Sequence, residues 1–489
     1  MIHAGQLVRK ALALCVLAAL IACPGCKGPQ SAPQASDAPI LLMPDDALPV
    51  SEAAPAPQST PLPALKYLFL FIGDGMGPNQ TLCVNEALAQ QNEPPLCFTQ
   101  FPVRGEAVTN NVHGQLTDSA AAATAIATGH KTANGMLGQD AGGNRRVSVA
   151  EMLHVSGYGV GILTTVSLDN ATPAGFYAHT AARTNYREIG TDLFISGFDY
   201  FAGGGFHDGA DIAALAAEFS YVLANSDAEA DAVPAGSRMV LSAETLTGDR
   251  GMPLALDADA IRAGQLARNL ARGVERLTGN QKGFFIMAEG GRIDLACHYH
   301  DPGELYAETL DFDLAVQTAV AFYEAHPEET LILVTADHET GGLVLAEGER
   351  AALARQAVSC DRFDKTLTER FKADKTAFET ALPEICAAFG LSEPTDEERA
   401  YLHTAYKHTL SGRLSKAQTR ERYGVYSPVA SAAANLVAQR AGLSFGTYGH
   451  SSVNVPVYAL GRGAERFSGT YENTAIAEKI TELFAQSGA

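Results

Sequence analysis

The sequence predicts an α/β fold, doubly wound, with a mostly parallel central sheet, helices on both faces and a helical insertion. Three observations lead there. Short apolar runs recur at 67–72, 159–164, 283–288, 330–335 and 455–460, each the length of a parallel strand buried on both faces. Stretches of helical pattern lie between them, for example at 257–277 and 304–325, and strands alternating with helices build such a sheet through crossovers. Chemically active residues stand just past the strands: Asp74 after 67–72, Glu289 after 283–288, and Asp337 with His338 after 330–335. Doubly wound sheets bind ligands beyond the carboxyl ends of their strands, so three such placements in one chain mark a site.

Taken in order, the chain opens on a targeting segment. Arg9 and Lys10 precede an apolar stretch, residues 11–22, that is too short to span a bilayer. It ends Leu20-Ile21-Ala22-Cys23, small residues before a cysteine, which resembles a bacterial lipoprotein signal with Cys23 as the lipidated residue. The alternatives are an ordinary secretory signal, with Cys23 incidental, or lipidation at Cys26. Each implies export, to the periplasm or the cell surface, and the only membrane contact expected is the lipid anchor. Residues 23–63 are rich in Pro, Ala, Ser and Gln and read as a flexible tether. Residues 64–487 remain for the folded domain.

Hydrophobic residues make up 46% of the 489, enough for a large core, and the net charge is −20. That balance argues against a nucleic-acid partner, since displacing phosphate counterions takes clustered Lys and Arg. It does not exclude a small anionic substrate in a cleft. Of the eight cysteines, Cys15 lies in the signal. Export permits disulfides, and Cys83 with Cys97 and Cys360 with Cys386 are expected pairs, while Cys297 reads as a buried free thiol. Residues 348–439 are charged and helix-forming, with Thr395 and Glu398 spaced as a capping box, and read as a helical insertion.

The nucleophile candidate is Ser119. Thr117-Asp118-Ser119 leads into Ala-Ala-Ala-Ala-Thr-Ala-Ile-Ala-Thr-Gly129, a strong helix former with a natural stop. Ser119 then sits at a helix N-terminus, where the dipole favours an alkoxide and an incoming phosphate; the bland reading is a simple helix cap. In Glu289-Gly-Gly-Arg-Ile-Asp294-Leu-Ala-Cys-His298, a helix after the glycines sets Asp294 and His298 at i and i+4, able to grip one metal ion together. Glu289, held off by the glycines, reaches another. Asp337-His338 offers oxygen and nitrogen donors at a strand end, and His450 supplies an imidazole just before the last strand. His300, two residues after His298, would point away on a helix. His113, His130, His154, His179, His207, His326, His403 and His408 read as structural or surface residues.

These motifs, in this order and spacing from about residue 66 to 460, resemble the alkaline phosphatase family: Asp-Gly-Met-Gly at 74, Thr-Asp-Ser-Ala-Ala at 117, Glu-Gly-Gly-Arg-Ile-Asp at 289, Thr-Ala-Asp-His-Glu-Thr-Gly-Gly at 335, and the late Gly-His450. The resemblance implies hydrolysis of phosphate monoesters through a phosphoserine on Ser119, with two zinc ions (Zn2+) and one magnesium (Mg2+). Asp294, His298 and His450 would hold one zinc. Asp74, Asp337 and His338 would hold the second, with Asp74 also bridging to magnesium beside Thr172 and Glu289. Arg183 matches the arginine that clamps two phosphate oxygens. Three divalent cations against four carboxylates, the alkoxide and Arg183 leave about two positive charges, matched to a phosphate dianion. Small phosphomonoesters are the implied substrates, and a homodimer is compatible with the resemblance.

Two positions depart from the family pattern. Asn170 stands where Asp or His is common, and Leu295 where Lys, His or Trp is common. Competing readings are a phosphodiesterase or sulfatase of the wider superfamily, and a catalytically inactive surface lipoprotein that binds metal or phosphate. A sulfatase sets its nucleophile in Cys/Ser-x-Pro-x-Arg, whereas alanines follow Ser119; diesterases of this fold usually lack the third-metal ligands that Glu289 and Thr172 would supply.

Overall fold

The structure, a computed structural model, describes residues 64–258 and 262–487. The signal, the tether, Cys23 and Cys26 lie outside the described residues. The strands are β1 (Tyr67–Ile72), β2 (Val103–Val108), β3 (Gly159–Thr164), β4 (Tyr200–Gly203), β5 (Tyr221–Ala224), β6 (Arg238–Ser242), β7 (Phe284–Glu289), β8 (Thr330–Thr335), β9 (Glu339–Thr340), β10 (Leu343–Leu345), β11 (Leu443–Phe445), β12 (His450–Ser451), β13 (Val455–Gly461) and β14 (Gly469–Glu472).

Ten of them form one sheet in the order β14-β2-β13-β8-β1-β7-β3-β4-β6-β5. Every residue of β1, β3, β7 and β8 is buried. This is the outcome expected of apolar runs covered on both faces, and each Phe or Leu so buried contributes about 1.5–3 kcal/mol. On one face Phe69, Phe284 and Phe322 meet edge to face or tilted, which locks the helix Pro302–Ala325 onto the strands. The helix Gln265–Leu277 packs beside it.

Register decides where the site falls. Ile72 of β1 lies opposite Glu289 of β7 and Thr335 of β8, and Glu289 lies opposite Thr164 of β3. Four carboxyl ends therefore finish in one row, about 4.8 Å from strand to strand. The chain leaves that row into the segments bearing Asp74, Asp337 and His338.

Three expectations need correction. Residues 455–460 were read with the parallel strands, but β13 runs antiparallel to both β8 and β2. An apolar run carries no mark of direction. The reversal has a use: the start of β13, not its end, meets the carboxyl edge of the sheet, so the segment just before it enters the site. The helix expected at 257–277 starts at Gln265, because Gly264 takes a left-handed φ of 67° and the described residues before it are held by turns. The expected disulfides are absent, since Cys83, Cys97, Cys360 and Cys386 are free. Cys83 faces the carbonyl of Gln80 inside its own helix, Cys97 faces Asp313, and Cys360 faces Ala430, so each thiol is packed against a different wall. Cys297 is a buried free thiol as expected.

Between residues 350 and 440 the chain is almost wholly helical. Thr395 and Glu398 form the expected capping box at the head of Asp396–Ser411. No helix among the described residues is long and apolar enough to cross a membrane.

Candidate active site

Ser119 opens the helix Ser119–Thr128, which ends at Gly129 with φ 74°. The cap is Asp118, not Ser119: the Asp118 carboxylate accepts from the Ala121 N–H at 3.0 Å, leaving the serine hydroxyl uncommitted to capping. Ser119 is 3% exposed, and its Oγ lies 3.3 Å from His338 Nε2. The other Asp118 oxygen accepts from Gly135 N and from Arg183 Nη1, at 3.0 and 3.2 Å. Arg183 Nη2 approaches the Asn170 side-chain oxygen at 3.5 Å. One carboxylate thus fixes both the start of the serine helix and the guanidinium.

The carboxylates share a pattern. Each binds the protein through one oxygen and turns the other inward. Asp337 Oδ1 accepts from the backbone N–H groups of Gly75 and His338, at 3.1 and 2.9 Å. Asp74 Oδ2 accepts from Thr172 Oγ1 at 3.3 Å, Glu289 Oε2 from the Thr164 hydroxyl, and Asp294 Oδ1 from Thr340 Oγ1 at 2.5 Å. The opposite oxygens Asp337 Oδ2, Asp74 Oδ1 and Glu289 Oε1 are buried with no hydrogen-bond partner among the described residues. Gly75 is essential to this closeness, because a Cβ there would sit 2.9 Å from both Asp294 and Thr340.

The imidazoles are oriented in the same manner. Thr117 O lies 2.7 Å from His450 Nδ1, and Tyr448 O lies 2.5 Å from His298 Nδ1. A carbonyl only accepts, so each Nδ1 carries the proton and each Nε2 keeps its lone pair. Thr340 Oγ1 lies 3.1 Å from His338 Nδ1. Its single proton goes to Asp294, so His338 Nδ1 also donates. All three rings then turn Nε2 to the site, where it offers a lone pair to a cation or, without one, can carry a proton toward the carboxylates. His338 Nε2 lies 3.3 Å from Asp337 and 3.6 Å from Asp74; His298 Nε2 lies 3.3 Å from Asp294 Oδ2, on the helix Arg292–His298. The two-residue ribbon of β12 on β9 sets His450 opposite Thr340 and stacks its ring on His338, centroids 3.6 Å apart.

Every residue expected at the site belongs to this one cluster, including Arg183, which joins it through Asp118. Sequence reasoning missed Asp118, Thr164 and Thr340, and the carbonyls of Thr117 and Tyr448. Asp118 and Thr340 lay inside the quoted motifs and could have been found there; a carbonyl carries no residue-type signal. His300 does point elsewhere, onto Thr447 O.

The electrostatics ask for cations. Burial, with Asp337, Asp294 and Glu289 around it, pushes the Asp74 carboxyl well above its usual range. Burial raises Glu289 to about 8 and lowers His338. Burial also opposes ionisation of Asp294, yet His298 beside it holds that carboxyl well below the usual range. Orphaned buried oxygens and facing lone pairs are costly unless a cation sits among them. The donors fall into two compact groups, Asp294 with His338 and His450, and Asp74 with Asp337 and His338, each within 4.8 Å. Mixed imidazole and carboxylate sets suit zinc, and a carboxylate–hydroxyl set suits magnesium. The residues present fit both.

With this geometry in view, known proteins are informative. The family model for alkaline phosphatase matches residues 65–194 and 213–486. Alkaline phosphatase 4 of Bacillus subtilis is 30% identical over 438 residues, covering 86% of this chain and 88% of its own length. The repressible alkaline phosphatase of Saccharomyces cerevisiae is 27% identical, covering 84% and 80%. The cold-active alkaline phosphatase of a psychrophilic Shewanella superposes with a TM-score of 0.73 at 27% identity, covering 86% of this chain and 99% of its own. A mutant alkaline phosphatase from TAB5, solved with Mg bound in its M3 site, superposes with a TM-score of 0.61 at 26% identity, covering 87% and 99%. A match of this extent, on a sheet whose carboxyl edge gathers four inward-turned carboxylates and three inward-turned imidazoles, makes the chain a member of the alkaline phosphatase family, the metal-dependent phosphatases.

Proposed function

We propose that the chain hydrolyses phosphate monoesters through a phosphoserine on Ser119. The observation that carries this reading is the buried Ser119 hydroxyl, at a helix N-terminus and 3.3 Å from His338 Nε2, between the donor cluster and the Arg183–Asp118 pair.

In this reading Asp294, His298 and His450 hold one zinc, and Asp74, Asp337 and His338 the second. Asp74, Glu289 and Thr172 hold magnesium, which the Thr172 hydroxyl on Asp74 and the buried Glu289 Oε1, unpartnered among the described residues, support. When bound, the ions supply the positive charge that favours the Ser119 alkoxide and offsets charge on the attacking and leaving oxygens. Arg183 binds two non-bridging phosphate oxygens through its planar fork, and Asp118 keeps that fork aimed. The helix N-terminus adds its dipole on the same side. Ser119 Oγ forms a bond to phosphorus as the ester oxygen–phosphorus bond breaks and the alcohol departs. Water then attacks the phosphoserine, releasing inorganic phosphate and restoring the hydroxyl. Export, anchoring at Cys23 and a homodimer belong to the same proposal; the signal pattern of the sequence supports the first two.

Ser119→Ala, assayed with a chromogenic phosphate ester, tests the serine route: activity should vanish, and full activity would overturn it. A monoester and a diester with one leaving group separate the two substrate classes. The monoester should react faster by orders of magnitude.

A further inference from the structure

We propose that His300 is a positioning residue for the candidate metal site, its ring holding the Thr447–His450 loop at the distance where Tyr448 and His450 serve it. The inference rests on reading Asp294, His298 and His450 as metal ligands.

His300 stands between the helix Arg292–His298 and the helix Pro302–Ala325, where Asp301 caps the second helix. Its φ of 53° is left-handed, a conformation that costs a side-chain-bearing residue about 1–2 kcal/mol. Glycine or asparagine would take it more cheaply, so the imidazole is kept for what it touches.

It touches the loop on three sides. Tyr448 stacks on one face, centroids 4.0 Å apart and planes 8° from parallel. Phe445 stacks at 4.7 Å and 11°. The ring's Nε2–H donates to Thr447 O at 2.8 Å. Stacked pairs add about 0.5–1.5 kcal/mol each beyond their buried area.

The clamp leads straight to the site. The Tyr448 carbonyl orients His298 through Nδ1 at 2.5 Å, and His450 follows two residues later. The far side of Tyr448 is pinned by the turn after the helix Lys416–Tyr423: a Cβ on Gly424 would lie 2.6 Å from the Tyr448 hydroxyl. The ring of His300 is therefore the inner jaw of a vice whose outer jaw belongs to the helical segment. Without it, the carbonyl that fixes the His298 tautomer is free to turn away, and both Nε2 atoms lose their common aim. Groups that orient metal ligands in this way are worth about 10- to 100-fold in metal affinity.

The test uses purified full-length protein: wild type, His300→Gly and His300→Phe. Zinc retention is measured against a graded series of chelators, and the melting temperature is measured on metal-stripped samples. His300→Gly relaxes the backbone but deletes the ring with both stacks and the bond to Thr447 O, so zinc affinity should fall about 10-fold and the metal-stripped protein should still fold with a cooperative melting transition. His300→Phe keeps the stack and should recover most of the lost affinity. Wild-type zinc retention in His300→Gly would overturn the proposal. So would a Phe variant as weak as the Gly variant. A wild-type protein that retains no zinc would overturn the metal reading beneath it instead.

Discussion

His298 and His450 face each other Nε2 to Nε2 at 3.2 Å while the Nδ1 of each is committed to a backbone carbonyl. Two lone pairs at that distance repel, and no neutral tautomer relieves them without breaking a carbonyl bond; without a metal the relief is a proton on one Nε2, toward which Asp294 biases His298. A shared cation resolves the conflict. Exhaustive chelation should therefore abolish turnover and lower the melting temperature, and Zn2+ with Mg2+ should restore both. Each ion at 100 times its dissociation constant stabilises by about 2.7 kcal/mol. Normal turnover after complete stripping would end the metal reading.

Metal-stripped protein should respond to pH in a stated direction. Glu289 has an ordinary value of 4.5 and, chiefly through burial, about 8 in the fold. Between those limits the native state binds more protons than the unfolded chain, so stability falls as pH rises. Denaturant unfolding of stripped protein at about pH 5 and about pH 8.5 checks this. Zinc affinity should move the other way, rising with pH, because the ligands must shed protons to bind. Stripped protein equally stable at both pH values would contradict the crowding of charge at Asp74 and Glu289.

Arg183 donates to Asp118 and nears Asn170, so its fork is fixed before substrate arrives. Arg183→Lys keeps the charge and loses the planar pair of donors. The loss of charge-assisted bonds, about 1.5–3 kcal/mol, should lower kcat/KM by about 10- to 100-fold. Steady-state kinetics with one monoester checks it, and an unchanged kcat/KM would remove Arg183 from phosphate binding.

Much of this was legible before the fold was known, because strand-end chemistry and the i, i+4 pair Asp294–His298 are local patterns with one geometric outcome. The serine helix and its Gly129 stop were equally local. What stayed hidden is long-range or carried by groups with no residue signature. The carbonyls that orient His298 and His450 come from 150 and 333 residues away in the chain. The reversed direction of β13 depends on its partners. The thiols looked paired because export permits disulfides, but packing put them against different walls.

That last point has a direct check. With Cys83, Cys97, Cys297, Cys360 and Cys386 all free, a reducing agent should leave the melting temperature unchanged. Burial pushes the Cys83 thiol up to about 12, so it should resist alkylation in the native state. A clear drop in melting temperature on reduction would restore the disulfide expectation.

Leu295 follows Asp294 on the ligand helix and is only half-buried. It offers phosphate neither charge nor hydrogen bond at a position where the family often has one. Leu295→Lys should tighten inhibition by inorganic phosphate, with the effect weakened by salt as for any partly exposed charge. Inhibition that is unchanged or weaker would show that this position does not govern product retention.

Thr340 joins the two donor groups through one oxygen, giving its proton to Asp294 at 2.5 Å and receiving one from His338 Nδ1 at 3.1 Å. Thr340→Val keeps the shape and deletes both bonds. Asp294 is then free to rotate, and His338 Nδ1–H is left buried without its acceptor, a loss of about 1–3 kcal/mol in stability. His338 can answer by moving its proton to Nε2, the atom that faces Ser119, Asp74 and Asp337, which blocks it as a metal ligand. Zinc affinity should fall about 10-fold or more, and kcat should fall at subsaturating zinc and recover as zinc is raised. Thr340→Ser retains the hydroxyl and should behave as wild type in zinc titration. If Val and Ser titrate alike, the hydroxyl is not what orients His338, and the shared tautomer of the three histidines loses its firmest support.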